Sequence, residues 1–316
     1  MKVAILDDYL NVAIDLGDWS ILDGRAELFT FNAPFGSEDE AADKLADYEV
    51  IVGMRERTPF PASLIKRLPV LKLLITTGMR NQSFDMEAAK AQGVTVCGTA
   101  GLGQPTAELT WAMILGLACH IPEHDNAMKS GGWQMTLNEM LKGKTLGLLG
   151  LGKLGGTVGE IGKAFGMRVI AWSQNLTAEL AGECGVTRVE KDELIAQSDY
   201  ISIHLVLSDR TRGLINADDL AQMKPTAYIV NTSRGPIIDE RALIEALKEN
   251  KIAGAAIDVY EIEPLPADHP IRSLDNVLLT PHIGYGTNDN FAHMYSQVAE
   301  NIAAFLDGAP IRLLNG

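Results

Sequence analysis

A glycine-rich turn between a strand pattern and a helix pattern constrains the fold more than any other feature of this sequence. The apolar run Leu146–Leu149 is long enough for a buried strand, and Gly-Leu-Gly-Lys-Leu-Gly follows at 150–155. An apolar helical period then continues through Val158, Ile161 and Phe165. Strand, glycine turn and helix in this order are the context in which G-x-G-x-x-G indicates a dinucleotide site.

Each glycine of the turn has a separate predicted role. Gly150 permits a sharp turn, Gly152 lets the backbone approach a pyrophosphate, and Gly155 lets the helix pack closely on the strand. Lys153 and Leu154 open the helix, whose N-terminus offers N–H donors and positive dipole to phosphate. The alternative is a glycine turn that binds nothing, because a chain with 30 glycines produces some matches by chance.

Length, charge and cysteines limit the class of protein. A chain of 316 residues suits two domains. The net charge of −14 argues against nucleic acid or an anionic membrane as partner. The three cysteines form no metal-type pair, so no metal site is predicted, and they favour a reducing, cytoplasmic location. The N-terminus lacks a signal-peptide layout, and the longest apolar run, residues 111–121, is too short to cross a bilayer.

The first part of the chain alternates between strand and helix patterns, as a parallel α/β sheet requires. Amphipathic segments at 37–48 and 84–92 separate the strand-like runs, which are Lys2–Leu6, Glu49–Val52, Leu71–Thr76 and Val94–Cys97. The turn-rich passage 99–105 is the predicted crossing into a second domain. A long buried helix should then run from Thr106 to about Ile121, where Pro122 is expected to stop it, and residues 124–143 read as an excursion.

From Lys144 the alternation restarts and predicts a complete doubly wound domain. The sequence predicts six strands there, at 146–149, 168–173, 200–205, 226–231, 254–259 and 277–280. A final helix over Asn288–Leu306 is expected to return to the first domain. The predicted dinucleotide-binding domain is therefore 99–284, and 1–98 with 285–316 form the second domain.

The end of the second strand of this domain decides between two coenzymes. A carboxylate that binds the adenosine ribose is expected about 20 residues after the glycines. The chain instead has Trp172-Ser173-Gln174-Asn175, with no carboxylate and no following arginine. NAD is favoured, and NADP stays open.

Three charged residues follow later strands of the same predicted sheet. Arg234, Glu263 and His282 would lie at the carboxyl edge, where open α/β sheets bind ligands. A guanidinium can hold a carboxylate bidentately, and histidine exchanges protons near neutral pH. Glutamate on the second ring nitrogen would fix the histidine tautomer. Beside a hydride carrier, these groups predict reversible reduction of a 2-oxo acid, with metal playing no part.

Taken singly, each residue also has an ordinary interpretation. A histidine after proline is often a loop residue, and one Arg or Glu is often a surface charge. Asp258 is expected to contact the nicotinamide or to cap its strand, and His204 to face the coenzyme or to fill space.

The chain resembles the D-isomer-specific 2-hydroxyacid dehydrogenases, the family that includes glycerate, phosphoglycerate and D-lactate dehydrogenases and glyoxylate/hydroxypyruvate reductases. The resemblance rests on 150–155, 231–235, 258–266 (D-V-Y-E-I-E-P-L-P) and Pro-His-Ile-Gly at 281–284. It implies a Rossmann-type domain plus a smaller flavodoxin-like α/β substrate domain built from both chain ends, and a homodimer. It also implies Arg234 as substrate arginine and His282 with Glu263 as acid/base pair. With the resemblance included, the candidate coenzyme-binding residues are Gly150, Gly152, Lys153, Leu154, Gly155, Trp172, Ser173, Gln174, His204, Thr211, Thr232, Ser233, Asp258, Gly284 and Thr106.

One departure from the family pattern concerns the loop that binds the substrate carboxylate. The chain has Thr77-Gly78-Met79-Arg80, in which Arg80 stands where a small residue is expected. Our hypothesis is that Arg80 favours an acid with a second polar or anionic group; the alternative is a surface salt bridge.

Two other functions compete with a 2-oxo acid reductase. A dinucleotide-sensing binding protein, like the related transcriptional corepressors, would use the same fold. A formate dehydrogenase is less compatible, because formate oxidation needs no acid/base on a carbonyl oxygen and that family pairs a glutamine with its histidine.

Overall fold

The computed structural model describes residues 1–316, which form two units. Unit 1 comprises Met1–Leu102 with Gly286–Gly316, and unit 2 comprises Gly103–Tyr285. The strands are β1 (Lys2–Ile5), β2 (Glu27–Thr30), β3 (Val50–Gly53), β4 (Leu73–Thr76), β5 (Thr95–Gly98), β6 (Thr145–Leu149), β7 (Arg168–Trp172), β8 (Thr187–Arg188), β9 (Tyr200–Ile203), β10 (Tyr228–Asn231), β11 (Gly254–Ile257) and β12 (Val277–Leu279). The helices are α1 (Ala13–Leu16), α2 (Glu38–Leu45), α3 (Ala62–Lys66), α4 (Met86–Ala91), α5 (Gln104–Ala118), α6 (Ile121–Lys129), α7 (Lys153–Ala164), α8 (Ala178–Glu183), α9 (Lys191–Gln197), α10 (Ala217–Gln222), α11 (Glu240–Lys248) and α12 (Asn288–Leu306), with 3₁₀ helices at Trp19–Leu22, Gly235–Ile237 and Pro270–Ser273.

Unit 1 is a parallel five-stranded sheet in the order β2-β1-β3-β4-β5, which is the flavodoxin-like order. The predicted α/β class, with parallel sheets covered by helices, is confirmed. The sequence did not predict β2, because one of its four side chains is exposed, three are half-buried and none is fully buried. An edge strand of this kind carries a weak apolar signal.

The last helix, α12, completes unit 1. Thr287 caps it by accepting a hydrogen bond from the Asn290 amide. Its inward face carries Phe291, Met294, Tyr295, Val298 and Ile302, and the helix packs on α1, the first 3₁₀ helix and β4. Helix α12 is therefore part of unit 1.

Unit 2 is a parallel seven-stranded sheet in the order β12-β11-β10-β9-β6-β7-β8. The direction in which the chain winds reverses between β6 and β9, and the crevice outside such a reversal is where this fold binds ligands. The expectation of six strands was wrong by one. The additional strand β8 is a two-residue edge strand that pairs with Ile170 and Ala171, too short to leave a period in the sequence.

The expected end of the long buried helix, at about Ile121, was also wrong. Helix α5 ends at Ala118, and Pro122 lies in the first turn of the next helix, α6, rather than stopping the previous one. Proline is tolerated there because the first N–H groups of a helix have no partner within the helix. Part of the predicted excursion is therefore helical. No helix in the chain combines the length and apolar character that a membrane crossing requires.

Candidate active site

The strand register of unit 2 brings the site together. Leu149, Ile203, Asn231, Ile257 and Leu279 are the last residues of five strands and are aligned with one another across the sheet. The residues that follow them therefore share one edge. That edge carries the glycine turn, His204 and the segments that contain Arg234, Glu263 and His282.

The glycine turn after β6 has the geometry that dinucleotide binding needs. Gly150 has φ +102°, and a Cβ there would lie 2.7 Å from the His204 carbonyl oxygen. A Cβ on Gly155 would collide with the carbonyl oxygen of Gly150, whereas the Cβ position of Gly152 has no atom within 4 Å. Gly152 caps α7 without a side chain, so the N–H groups of Lys153 and Leu154 open the helix uncovered. The turn thus fits a pyrophosphate at a helix N-terminus.

His282 and Glu263 form a direct pair. The Nδ1 atom of His282 lies 2.5 Å from Oε2 of Glu263, and the second carboxylate oxygen accepts a 2.9 Å hydrogen bond from the Tyr260 amide. Both carboxylate oxygens are thereby engaged. The Tyr285 ring meets the imidazole edge-on at 5.7 Å. These contacts fix the orientation of the ring.

Asp258 holds the loop that carries His282. Its carboxylate is fully buried and accepts hydrogen bonds from Thr280 Oγ1 (2.6 Å) and from the amides of Ile283 (2.8 Å) and Gly284 (3.0 Å). His282 has φ +53°, the left-handed region that costs an L-residue free energy. The two amide bonds offset that cost. The pKa of Asp258 is raised, because the effect of burial exceeds the opposite effects of these hydrogen bonds and of the nearby His282.

Arg234 follows β10 on a turn fixed by Asn231. The Asn231 side chain accepts from the Ser233 amide at 3.0 Å and donates to the Arg234 carbonyl at 3.0 Å. Ser233 Oγ donates to the Leu205 carbonyl, and Arg234 Nη1 donates to the Ser233 carbonyl at 2.7 Å. A Cβ on Gly235 would collide with the backbone of Tyr260, so this turn lies directly against the segment that leads to Glu263.

Three threonines join helix α5 to the same edge. Thr106 Oγ1 donates to the Gly284 carbonyl at 2.8 Å. Thr110 Oγ1 lies 2.8 Å from Thr106 O and 2.8 Å from Thr232 Oγ1. The predicted coenzyme residues Thr106, Thr232 and Gly284 are thus connected through α5.

His204 lies beside the glycine turn and is half-buried. Its Nε2 atom is 2.9 Å from Ser202 Oγ, while its buried Nδ1 atom has no partner within the protein. Burial lowers the pKa of His204 from 6.5 to about 4, so the ring is neutral at pH 7. A buried ring nitrogen without a protein partner beside this turn fits a site built for a further polar group.

The lowered pKa of His204 predicts acid-sensitive stability. Because the folded-state pKa lies below the unfolded value, the unfolded chain binds more protons between about pH 6.5 and 4. Stability from this residue is complete above that window and falls as the pH falls through it. We expect about 2 kcal/mol to be lost from pH 7 to pH 5. Urea unfolding of the unmodified protein and of His204→Gln at pH 7 and pH 5 tests this. The free energy of unfolding lost between the two pH values should be smaller in His204→Gln by this amount. Equal losses in the two proteins would contradict the lowered pKa of His204.

The end of β7 forms a cavity of about 210 Å³ with the loop after β9. Trp172, Ser173, Gln174 and Thr211, four predicted coenzyme residues, line it. Arg210 also lines this cavity. The sequence did not predict it as a coenzyme residue, because 36 positions separate it from Gln174.

The predicted substrate loop, Thr77–Arg80, follows β4 in unit 1. Thr77 Oγ1 accepts from the Arg55 amide at 3.0 Å, and Arg55 Nη1 donates to the Thr77 carbonyl at 3.1 Å. A Cβ on Gly78 would lie 2.8 Å from Arg55 Nη1, so a larger residue would displace this guanidinium from the Thr77 carbonyl. Met79 and Arg80 are exposed, and Arg80 makes no ion pair, contrary to the surface salt-bridge alternative.

Three residues that position others were not predicted from the sequence. Asn231, Tyr260 and Arg55 hold Arg234, Glu263 and Thr77 through backbone hydrogen bonds. Asn231 and Tyr260 lie within the segments 231–235 and 258–266 on which the family resemblance rests, and Arg55 lies just after β3. No other feature of the sequence points to these three residues. The structure contains no group of three or more His, Cys, Asp or Glu side chains arranged to hold a metal ion.

Comparison with known proteins agrees with this arrangement. Residues 111–284 match the family model of the D-isomer specific 2-hydroxyacid dehydrogenase, NAD binding domain. Glyoxylate reductase of Aeropyrum pernix is 41% identical over 80% of this chain and 78% of its own. Hydroxypyruvate reductase of Blautia hydrogenotrophica is 30% identical over 100% of both chains. The chain spans about half the length (50%) of a matching D-3-phosphoglycerate dehydrogenase from Synechocystis.

Solved structures give the same result. The crystal structure of phosphoglycerate oxidoreductase from Vibrio cholerae O395 matches with a TM-score of 0.93 and 37% identity, over 98% of this chain and 100% of that chain. Sequence, strand order and coenzyme turn agree, and the chain therefore belongs to the D-isomer specific 2-hydroxyacid dehydrogenases, a family of NAD-binding oxidoreductases with the Rossmann fold.

Proposed function

We propose that this chain reduces small 2-oxo acids to D-2-hydroxy acids, reversibly, with His282 as acid/base and Arg234 as the group that binds the substrate carboxylate. The observation that supports this most is the 2.5 Å contact between His282 Nδ1 and Glu263 Oε2 at the ligand-binding edge of the sheet. A second, dinucleotide-sensing role does not require such a pair. The substrate class also agrees with relatives named glyoxylate and hydroxypyruvate reductase.

The proposed roles follow from the geometry of each side chain. Gly150–Gly155 would hold NAD(H), which would supply or accept the hydride in this reaction. Because Glu263 engages Nδ1, Nε2 is the His282 atom that exchanges a proton with the substrate oxygen. Glu263 stabilises the ring when it carries both protons. Arg234 offers planar, paired N–H donors to the carboxylate.

A direct assay tests this function. The protein is mixed with NADH or NADPH, and hydroxypyruvate, glyoxylate, phenylpyruvate and 2-oxobutyrate are added in turn while the absorbance of the reduced coenzyme is followed. We expect turnover with at least one of these acids. Coenzyme binding without turnover of any of them would favour the dinucleotide-sensing protein instead.

We also propose that unit 2 binds the coenzyme and that unit 1 supplies the substrate loop. Arg80, exposed at the carboxyl end of β4 without an ion-pair partner, would favour acids with a second anionic group. Arg80→Ala should lower kcat/KM for such acids by about tenfold, the equivalent of one modest charge-assisted hydrogen bond, and change it less than twofold for 2-oxobutyrate. Steady-state kinetics with the dicarboxylic 2-oxo acids oxaloacetate and 2-oxoglutarate, compared with 2-oxobutyrate, checks this. Unchanged kcat/KM for every acid would contradict it.

We propose a homodimer formed through unit 2. Exposed apolar side chains are concentrated in residues 121–140, where Trp133 is 72% and Leu137 is 89% exposed. Clusters of exposed apolar residues of this kind mark interaction surfaces, and a second copy is the partner that the family implies. Sedimentation velocity at micromolar concentration should give twice the chain mass of 34.1 kDa. A single monomeric species would contradict the proposal.

We propose a cytoplasmic location on the basis of the cysteines. Cys97, Cys119 and Cys184 are all free thiols, and burial raises the pKa of Cys97 to about 11, which keeps it protonated. Free thiols of this kind persist in a reducing compartment. Fractionation of cells that express the protein at its native level tests this location.

A further inference from the structure

The cavity at the end of β7 is lined by polar and apolar side chains, of which only one is charged. Its volume is about 210 Å³. Its polar lining consists of Ser173, Gln174, Asn175, Ser208, Arg210 and Thr211. No carboxylate lines it, and Asp209, which precedes Arg210 in the chain, is not among the lining residues. In a protein of net charge −14, this cavity therefore carries a single positive charge.

The position of the cavity determines which part of a dinucleotide it would face. The end of the second strand after the glycine turn is where this fold binds the adenosine ribose. A carboxylate there binds the 2′-hydroxyl and repels a 2′-phosphate, whereas an arginine nearby accommodates the phosphate. Here Ser173 occupies the position of the carboxylate, and the arginine comes from the loop after β9.

Local hydrogen bonds hold this loop in place. Thr211 Oγ1 donates to the Val206 carbonyl at 2.7 Å and accepts from the Ser208 amide at 2.8 Å. Gln174 Nε2 donates to the Arg210 carbonyl at 3.3 Å and so joins the two loops. Arg210 is exposed and makes no ion pair, and its guanidinium donors are available for a ligand.

We propose that Ser173 and Arg210 form a 2′-phosphate site, so that the chain binds NADP(H) at least as well as NAD(H). The inference rests on the proposed coenzyme role of Gly150–Gly155. A planar guanidinium pairs with a phosphate through two parallel hydrogen bonds, and the Ser173 hydroxyl adds a neutral donor in place of a repelling charge.

Equilibrium binding tests the site without any substrate. The Kd values of NADH and NADPH are measured by coenzyme fluorescence, and those of ADP-ribose and 2′-phospho-ADP-ribose by calorimetry. We expect the unmodified protein to bind the phosphorylated ligand of each pair at least as tightly as its partner. Arg210→Gln should weaken NADPH binding by about 10- to 50-fold and leave NADH within twofold, because only NADPH carries the 2′-phosphate.

Two further variants sharpen the result. Ser173→Asp should weaken NADPH binding by about tenfold or more and leave NADH unchanged or tighter. Arg212→Gln is the matched control, an exposed arginine two positions away that does not line the cavity, and should change neither Kd by more than twofold.

The outcomes separate this inference from the proposed function. NADH binding that is more than twofold tighter than NADPH binding in the unmodified protein would overturn the 2′-phosphate site alone. Equal losses for NADH and NADPH in Arg210→Gln would do the same. If neither dinucleotide binds, the proposed function fails as well.

Discussion

Replacing His282 by glutamine is expected to lower kcat for 2-oxo acid reduction by about 10²- to 10⁴-fold, the contribution typical of a positioned general acid. Glutamine retains a polar side chain of similar reach but cannot donate a proton at neutral pH. The affinity for NADH should stay within about twofold, because the glycine turn lies on another strand of the sheet. Single-turnover mixing separates the chemical step from coenzyme binding.

A second His–Glu pair provides the control for this prediction. His269 Nε2 lies 3.0 Å from Glu240 Oε1 in the same unit, so His269→Gln removes a comparable interaction. We expect that variant to retain kcat within about twofold. A His282→Gln enzyme that keeps more than a tenth of the original kcat would exclude His282 as the acid.

Arg234→Gln is expected to lower kcat/KM for 2-oxo acids by about 10²- to 10³-fold, because a bidentate, charge-assisted pair with the carboxylate is lost. The kcat/KM of Arg234→Lys should lie between those of the unmodified protein and Arg234→Gln, since lysine keeps the charge but not the planar pair of donors. Arg241→Gln, which breaks an exposed ion pair with Glu245, is the control and should have no effect.

The substrate carboxylate itself can be used to test this role. Steady-state kinetics are measured with a 2-oxo acid and with its methyl ester, each with the unmodified protein and with Arg234→Gln. The four kcat/KM values form a thermodynamic cycle. The substitution should impair reduction of the acid far more than that of the ester. Equal impairment of both would show that Arg234 acts on something other than the carboxylate.

Features carried by neighbouring residues were predictable from the sequence, whereas features assembled across strands were not. The glycine turn, its strand and its helix occupy one continuous segment, so their pattern was visible. The bounds of α12 matched because its apolar period and its Thr287 cap are both local. The role of Asp258 was not visible, since its three donors come from residues 280, 283 and 284 on another strand and loop.

The errors have similar physical causes. The two missed strands, β2 and β8, lie at sheet edges, where few side chains are buried and the apolar signal is weak. Pro122 predicts the end of a helix because proline interrupts a helix interior, but proline is equally compatible with the first turn, where the structure has it. Arg210 was missed because proximity to Ser173 depends on how β7 and β9 are placed in the sheet, which no local window contains.

The division of unit 1 between the two ends of the chain has a consequence for synthesis on the ribosome. Domains usually fold in the order in which they emerge, from the N-terminus onward. Here the first 102 residues lack α12, which buries Phe291, Tyr295 and Ile302 against their core. Unit 2, by contrast, is one uninterrupted stretch from Gly103 to Tyr285. We therefore expect the nascent N-terminal segment to keep this apolar surface uncovered until α12 has been synthesised, an interval in which a chaperone would protect it from aggregation.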